Sequence, residues 1–240
     1  MFGWSGGQRS AMSGEVLEHE GLADLVRQRP GFLMLYKFAI EELMTKLRIL
    51  SEEFDLAHRH DPIEHITSRV KRPEAIEVKA RRRGLAPDLA AIAEGLDDVA
   101  GVRVVCPFVS DVYSVAEMLT RQDDVELLRR KDYIATPKDN GYRSLHLIVR
   151  IPVFLSDRVE RVKVEVQLRT IAMDFWATLE HKLFYKYESQ VPTDFATELA
   201  NAAGLAAHLD SRMEDLHQRL RGPVDELGDP VNPAVLGQGG

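Results

Sequence analysis

Val162-Lys163-Val164-Glu165-Val166-Gln167-Leu168-Arg169 alternates apolar and polar residues without a break. A strand repeats every second residue, so Val162, Val164, Val166 and Leu168 share one face and Lys163, Glu165, Gln167 and Arg169 the other. The apolar face predicts a sheet packed on a core. The polar face sets a carboxylate between two cations, beside an amide that donates and accepts. Alternation of this kind is most often an ordinary solvated strand face, yet the mixture also suits a phosphate ester and a metal ion. The rest of the chain decides between these readings.

Working outward, Ser144–Ile151 predicts a neighbouring strand with Leu145, Leu147 and Val149 inside, and Val99–Pro107 is the continuous apolar run of a central strand. Ile66–Lys71 predicts a further strand with Thr67, Arg69 and Lys71 on one face, and Val125–Ile134 another. Tyr36, Ile40, Leu43, Leu47, Leu50 and Phe54 recur at helical spacing after Pro30, so a long helix runs to the break at His58–Pro62. Shorter helices are expected over Val16–Arg27, from Pro73 to Gly84, over Asp88–Leu96, from a Ser110 cap to Arg121, and from Ile171 to Tyr187. A last helix, Asp194–Arg221, carries Leu199, Leu205, Leu209, Met213, Leu216 and Leu220 as its apolar stripe. About five strands alternating with helices make an α/β or α+β fold. The predicted organisation is one domain over 14–221, with its core at 62–188, between disordered tails at 1–13 and 222–240.

Composition bounds the function. The chain has 240 residues, 45% hydrophobic and 29% charged, typical of a soluble globular protein. No apolar run spans a membrane and no leader is evident, so a cytoplasmic protein with no membrane partner is expected. The single cysteine, Cys106, allows no internal disulfide and fits a reducing compartment as a buried structural thiol. A net charge of −7 argues against a general nucleic-acid binder, but Arg69–Arg83 holds seven basic residues against two acidic ones. That surplus predicts a dedicated anion site, although Arg81–Arg83 alone reads as a basic helix face in water.

Four segments carry a resemblance: EHITSRVK (64–71), DVAGVRVVC (98–106), KDYIATPKDNGYRSLHLIV (131–149) and VEVQLRTIAMDFWATLEHKLFYK (164–186). In this order they resemble the RelA/SpoT-type alarmone synthetases, most closely the small single-domain ones. The resemblance implies a nucleotidyltransferase-like mixed sheet wrapped by helices. It implies transfer of the β,γ-pyrophosphate of ATP to the 3′-hydroxyl of GDP or GTP, with GMP as a further candidate acceptor, in stringent-response signalling. Too few residues precede the pattern for the hydrolase domain of bifunctional members.

Pyrophosphoryl transfer needs cations along a triphosphate and a means of taking the 3′-hydroxyl proton. The resemblance places Arg69 and Arg103 against the two faces of adenine, and Lys71 and Lys79 on the phosphates. Arg103 is the one charged side chain in Val99–Cys106, and an ion pair with Asp98 or Asp97 is the plainer reading. Asp98 and Glu165 are the expected catalytic acids and the expected Mg²⁺ ligands, since this ion takes one or two carboxylates plus phosphate oxygens and water. Whether Glu165 acts mainly as ligand or as proton acceptor stays open. Asp98 and Arg103 fall on opposite faces of an ideal strand, so a bulge at Gly101 is expected to bring both into one cleft.

Lys138-Asp139-Asn140-Gly141-Tyr142 is a turn by its residues and, by resemblance, the acceptor loop. Tyr142 would stack on guanine as a flat platform, a role in which Tyr142→Phe would be mild. Lys131, Lys138, Asn140, His146, Gln167 and Arg169 complete the implied acceptor site, and Arg-x-Lys-Asp at 129–132 has the form of synthetase-only members. Small relatives imply a homotetramer, and the leucine-rich last helix fits a closed homo-oligomer. The resemblance also admits single-stranded RNA or an alarmone as a regulator. Two other readings keep the fold: a toxic relative acting on adenosine nucleotides or the 3′ end of tRNA, and a weakly active module binding nucleotides or single-stranded RNA.

Overall fold

In a computed structural model, which describes residues 21–186 and 195–221, the alternating stretch lies in the middle of a sheet. The strands are β1 (His65–Val70), β2 (Ala100–Cys106), β3 (Glu126–Asp132), β4 (Leu145–Phe154) and β5 (Val159–Thr170), in spatial order β1-β2-β5-β4-β3. β2 and β5 pair in parallel and every other pair is antiparallel. The expected mixed five-stranded sheet is borne out.

The helices are α1 (Leu22–Gln28), α2 (Pro30–His58), α3 (Pro73–Arg82), α4 (Leu89–Gly95), α5 (Val109–Thr120), α6 (Ile171–Lys186) and α7 (Phe195–Arg221). Pro30 supplies a fixed φ at the first turn of α2, and Arg59, in the left-handed region at φ 53°, ends it. The stripe Tyr36, Ile40, Leu43, Leu47 and Leu50 is buried against Val164, Val166 and Leu168 of β5 and their neighbours. Burying a side chain such as Leu43 contributes about 1.5–3 kcal/mol, and the period-two face of β5 earns it at every second residue. α2 and α5 thus cover one face of the sheet, which leaves the polar face to the site.

Several local expectations are corrected. β1 ends at Val70, so Lys71 lies just beyond the strand and not on it, although its N–H still donates to Val99 O. No bulge interrupts β2, whose pairing with β1 and β5 runs in unbroken register through Gly101. Asp98 reaches the cleft because it precedes β2, in the bend after α4. Ser110 does not cap α5. The helix begins at Val109, and the Asp111 carboxylate accepts the Phe108 N–H at 3.3 Å. α7 buries Leu199 alone of its six-residue stripe; Leu205, Leu209, Met213, Leu216 and Leu220 are exposed. The tails at 1–13 and 222–240 lie outside the described residues, as does the first part of the helix expected from Val16.

Candidate active site

The cleft face of the sheet carries two successive rungs. Thr67, Arg103, Gln167, His146 and Lys131 lie side by side across all five strands. The next rung is Arg69, Gly101, Glu165, Ile148 and Arg129. Straight register therefore gathers residues separated by up to a hundred positions in sequence. Gly101 is the gap in its rung. A Cβ built there meets nothing within 4 Å, so its lack of a side chain leaves open floor between Arg69 and Arg103.

Two cavities open on this face. The first, of about 240 Å³, is lined by Arg69, Asp98, Gly101, Arg103, Glu165 and Gln167, among others. The second, of about 410 Å³, takes Lys79, Arg82, Arg83, Arg129, Lys131 and Lys138 as its cations. Asp98 and Glu165 line both, so the two carboxylates stand at the border between the cavities.

Asp98 Oδ2 accepts from Lys71 Nζ at 2.5 Å and also from Lys79 Nζ. Burial would raise its pKa, but the two ammonium groups overcome that and hold it below the ordinary carboxylate range. Its Oδ1 is buried and has no hydrogen-bond partner among the described residues. Glu165 Oε2 accepts from Gln167 Nε2 at 2.9 Å, and Oε1 lies 3.4 Å from His146 Nδ1. Here too burial pushes upward while His146 and Gln167 draw the carboxyl below its usual value. Both acids are therefore charged at neutral pH. They fit a magnesium ion: two anionic carboxylates on one border, one with an unsatisfied oxygen, beside cavities with room for phosphate oxygens. Among the described residues no group of three or more His, Cys, Asp or Glu side chains is placed to hold a metal ion, here or elsewhere, so an ion at this border would take the rest of its shell from phosphate oxygens and water.

Beside the second cavity a hydrogen-bonded ring closes on itself. Arg169 Nη2 donates to Tyr142 Oη at 2.6 Å and to Gln167 Oε1 at 3.0 Å, and Tyr142 Oη meets His146 Nε2 at 2.8 Å. His146 and Gln167 then both meet Glu165. Arg169 is itself buried, so it faces this ring and not the cavities. Lys138 Nζ stands 4.5 Å from the centre of the Tyr142 ring, a cation–π contact that also includes Tyr133 at 4.7 Å. Asn140 turns its amide to Glu180 Oε1 at 3.2 Å and its oxygen to the Tyr142 N–H, so it shapes the loop from outside both cavities.

That loop rests on α7. Gly141 has φ 84°, and a Cβ there would stand 2.4 Å from the Ala203 Cβ. A second small core of Trp176, Ala177, Leu199 and Ala203 packs under Tyr142. Glycine is thus required twice, for its backbone angle and for its closeness to the helix.

Some participants were not anticipated. Arg82 and Arg83 line the second cavity, while Arg81 pairs outward with Glu77 at 2.5 Å, so only part of Arg81–Arg83 is a solvated face. Arg103 pairs neither with Asp98 nor with Asp97 but with Asp174 at 3.2 Å. Asp97 instead holds Arg129 at 2.8 Å. Tyr133, Arg129 and Asp174 stand within the motif stretches, but the motifs give them no partner, since what each reaches depends on the placement of the whole sheet.

Comparison with known proteins agrees with this geometry. The region found in RelA / SpoT proteins matches residues 68–190. GTP pyrophosphokinase YwaC of Bacillus subtilis is 51% identical over 181 residues, 75% of this chain and 86% of its own. GTP pyrophosphokinase YjbM of the same organism is 40% identical over 200 residues, covering 83% of this chain and 92% of its own. The crystal structure of small alarmone synthetase 1 from Bacillus subtilis, bound to its product pppGpp, superposes with a TM-score of 0.74 at 39% identity, over 82% of this chain and all of that one.

Proposed function

This chain belongs to the RelA/SpoT family, and from that membership we propose that it is an alarmone synthetase, transferring the β,γ-pyrophosphate of ATP to the 3′-hydroxyl of GDP or GTP, with AMP as the leaving group. One observation carries the reading: two cavities, one flanked by planar cations and one rich in cations, share the carboxylates Asp98 and Glu165 at their border. A group transferred between two nucleotides must pass such a border. The relatives' activity as GTP pyrophosphokinases favours a guanosine acceptor over adenosine nucleotides and tRNA.

The first cavity is the donor side. Arg69 and Arg103 flank the open floor at Gly101, where an adenine ring slots between two guanidinium planes. Lys71 and Lys79, held on Asp98 in this structure, turn to the triphosphate. The second cavity receives the acceptor, with Lys131, Lys138, Arg82 and Arg83 near its phosphates and Tyr142 beneath the base. Asp98 and Glu165 hold the magnesium ion, which when bound offsets the negative charge of the triphosphate. Glu165 accepts the 3′-hydroxyl proton, and His146 beside it stabilises the anionic carboxylate before transfer. The direct test incubates the protein with labelled ATP, Mg²⁺ and GDP, GTP, ADP or bulk tRNA and separates the products. Label appearing in a guanosine tetra- or pentaphosphate supports the reading; label on ADP or tRNA, or no transfer at all, overturns it.

The protein also works as a homo-oligomer, most simply a tetramer, in the cytoplasm. Ile171, Phe175, Leu179, Leu205, Leu209 and Met213 of α6 and α7 line an apolar groove of about 790 Å³ that a second copy would cover. No helix among the described residues is long and apolar enough to cross a membrane. Light scattering at micromolar concentration should give a multiple of the 27.1 kDa chain mass; the monomer mass would reject the assembly.

A further inference from the structure

Arg103 and Arg169 are diagonal neighbours on β2 and β5, since Arg103 pairs with Gln167 and Val105 with Arg169. Their like charges repel, and the Nε of each is buried without a hydrogen-bond partner among the described residues. One carboxylate answers both. Asp174 Oδ1 lies 3.2 Å from Arg103 Nη1 and 3.2 Å from Arg169 Nη1. Asp174 stands in the first turn of α6, where the helix N-terminus favours negative charge, and its side chain is only 19% exposed. The next links differ. Arg103 faces the donor cavity, whereas Arg169 runs through Tyr142 to the acceptor side and through Gln167 to Glu165.

We infer that Asp174 is a shared positioning residue, a single counter-ion that aims one guanidinium at the donor nucleotide and the other at the platform for the acceptor. The inference rests on the functional reading above and adds a prediction that reading does not contain. Without the Asp174 charge, two adjacent guanidiniums face each other uncompensated in a half-buried site, and both turn away. The defect must then appear in both nucleotides, while loss of either arginine alone is felt by one.

The experiment measures equilibrium binding of a non-hydrolysable ATP analogue and of GDP separately, so it needs no turnover. Asp174→Asn should weaken both nucleotides on the order of tenfold, the size of one charge-assisted hydrogen bond. Arg103→Gln should weaken only the ATP analogue and Arg169→Gln only GDP. Asp174→Asn should raise the KM of each substrate by more than it lowers kcat, because Asp174 acts through the two arginines and touches no reacting atom. An Asp174→Asn protein whose affinity falls for one nucleotide or for neither overturns the inference. So does a loss of both that Arg103→Gln alone reproduces. A parent protein that binds neither nucleotide overturns the functional reading itself. If Asp174→Asn does not fold, Asp174→Glu keeps the charge and shifts it by one methylene. Smaller losses in both nucleotides then support the inference, and unchanged affinity for both rejects it.

Discussion

The two sides of the cleft are built differently. The proposed donor side is made of strands: Arg69 on β1 and Gly101 and Arg103 on β2 stand in unbroken antiparallel register. The proposed acceptor side also takes Lys131 and His146 from strands, but its base platform is the loop before β4, held from behind, with Gly141 pressed on Ala203 and Tyr142 packed over Trp176 and Leu199 of α6 and α7. A strand sets its side chains by pairing alone. A loop must be propped, so the acceptor side depends on α7, whose far face is the exposed leucine stripe. The donor side should therefore be the more tolerant of change outside the site, and the acceptor side the one that responds to the helices.

Glu165, which lines both cavities, gives the largest expected effect. Glu165→Gln keeps size and hydrogen bonding but removes the charge, so synthesis should fall by at least roughly 10²-fold with ATP analogue binding retained. Near-normal turnover in a synthesis assay would show that the border between the two sides lies elsewhere. Tyr142 separates the sides. Tyr142→Ala should cost about 1–3 kcal/mol of GDP affinity and leave ATP analogue binding within about twofold. The structure also revises the expectation for Tyr142→Phe: the hydroxyl joins Arg169 and His146, so its loss leaves buried Arg169 short of a partner and should cost about 1–3 kcal/mol of stability in a denaturant titration. Equal losses for both nucleotides from Tyr142→Ala would erase the contrast between the sides.

The smallest effect concerns pH. Burial raises the Glu165 carboxyl, and His146 is the largest of the groups that lower it. His146→Leu removes that group, so the Glu165 pKa should rise. A protonated Glu165 cannot accept the 3′-hydroxyl proton, so the acid limb of the kcat profile should move to higher pH and activity should be lost earlier as pH falls. At alkaline pH the variant should approach the parent. A limb that stays in place would detach His146 from Glu165 and leave it to the acceptor side alone.

Much of this was legible in the chain because strands and helices announce themselves locally. The alternation over 162–169 identified which face of β5 is apolar and put Glu165, Gln167 and Arg169 together on the other. The 3.6-residue stripe of α2 marked the element that covers the core face. Asp98 and Glu165 could be paired from sequence, but not their place at the border of two cavities. The Gly101 bulge was a wrong remedy for a problem the chain solves otherwise, by placing Asp98 in the bend before the strand.

Residue order and periodicity by themselves marked the strands, the apolar face of β5 and the cationic segment, because each depends on neighbours within a few positions, while the family resemblance came from four motif segments taken together. Tertiary structure alone decided the rest. It gave Arg103 to Asp174 and not to Asp98, turned Arg169 inward to Tyr142, brought Arg82 and Arg83 into the cleft, and left most of the α7 stripe exposed. A charged side chain has several partners within reach along the chain, and which one it takes depends on distances set by the whole packed sheet. For the same reason an amphipathic helix announces an apolar face but not what covers it.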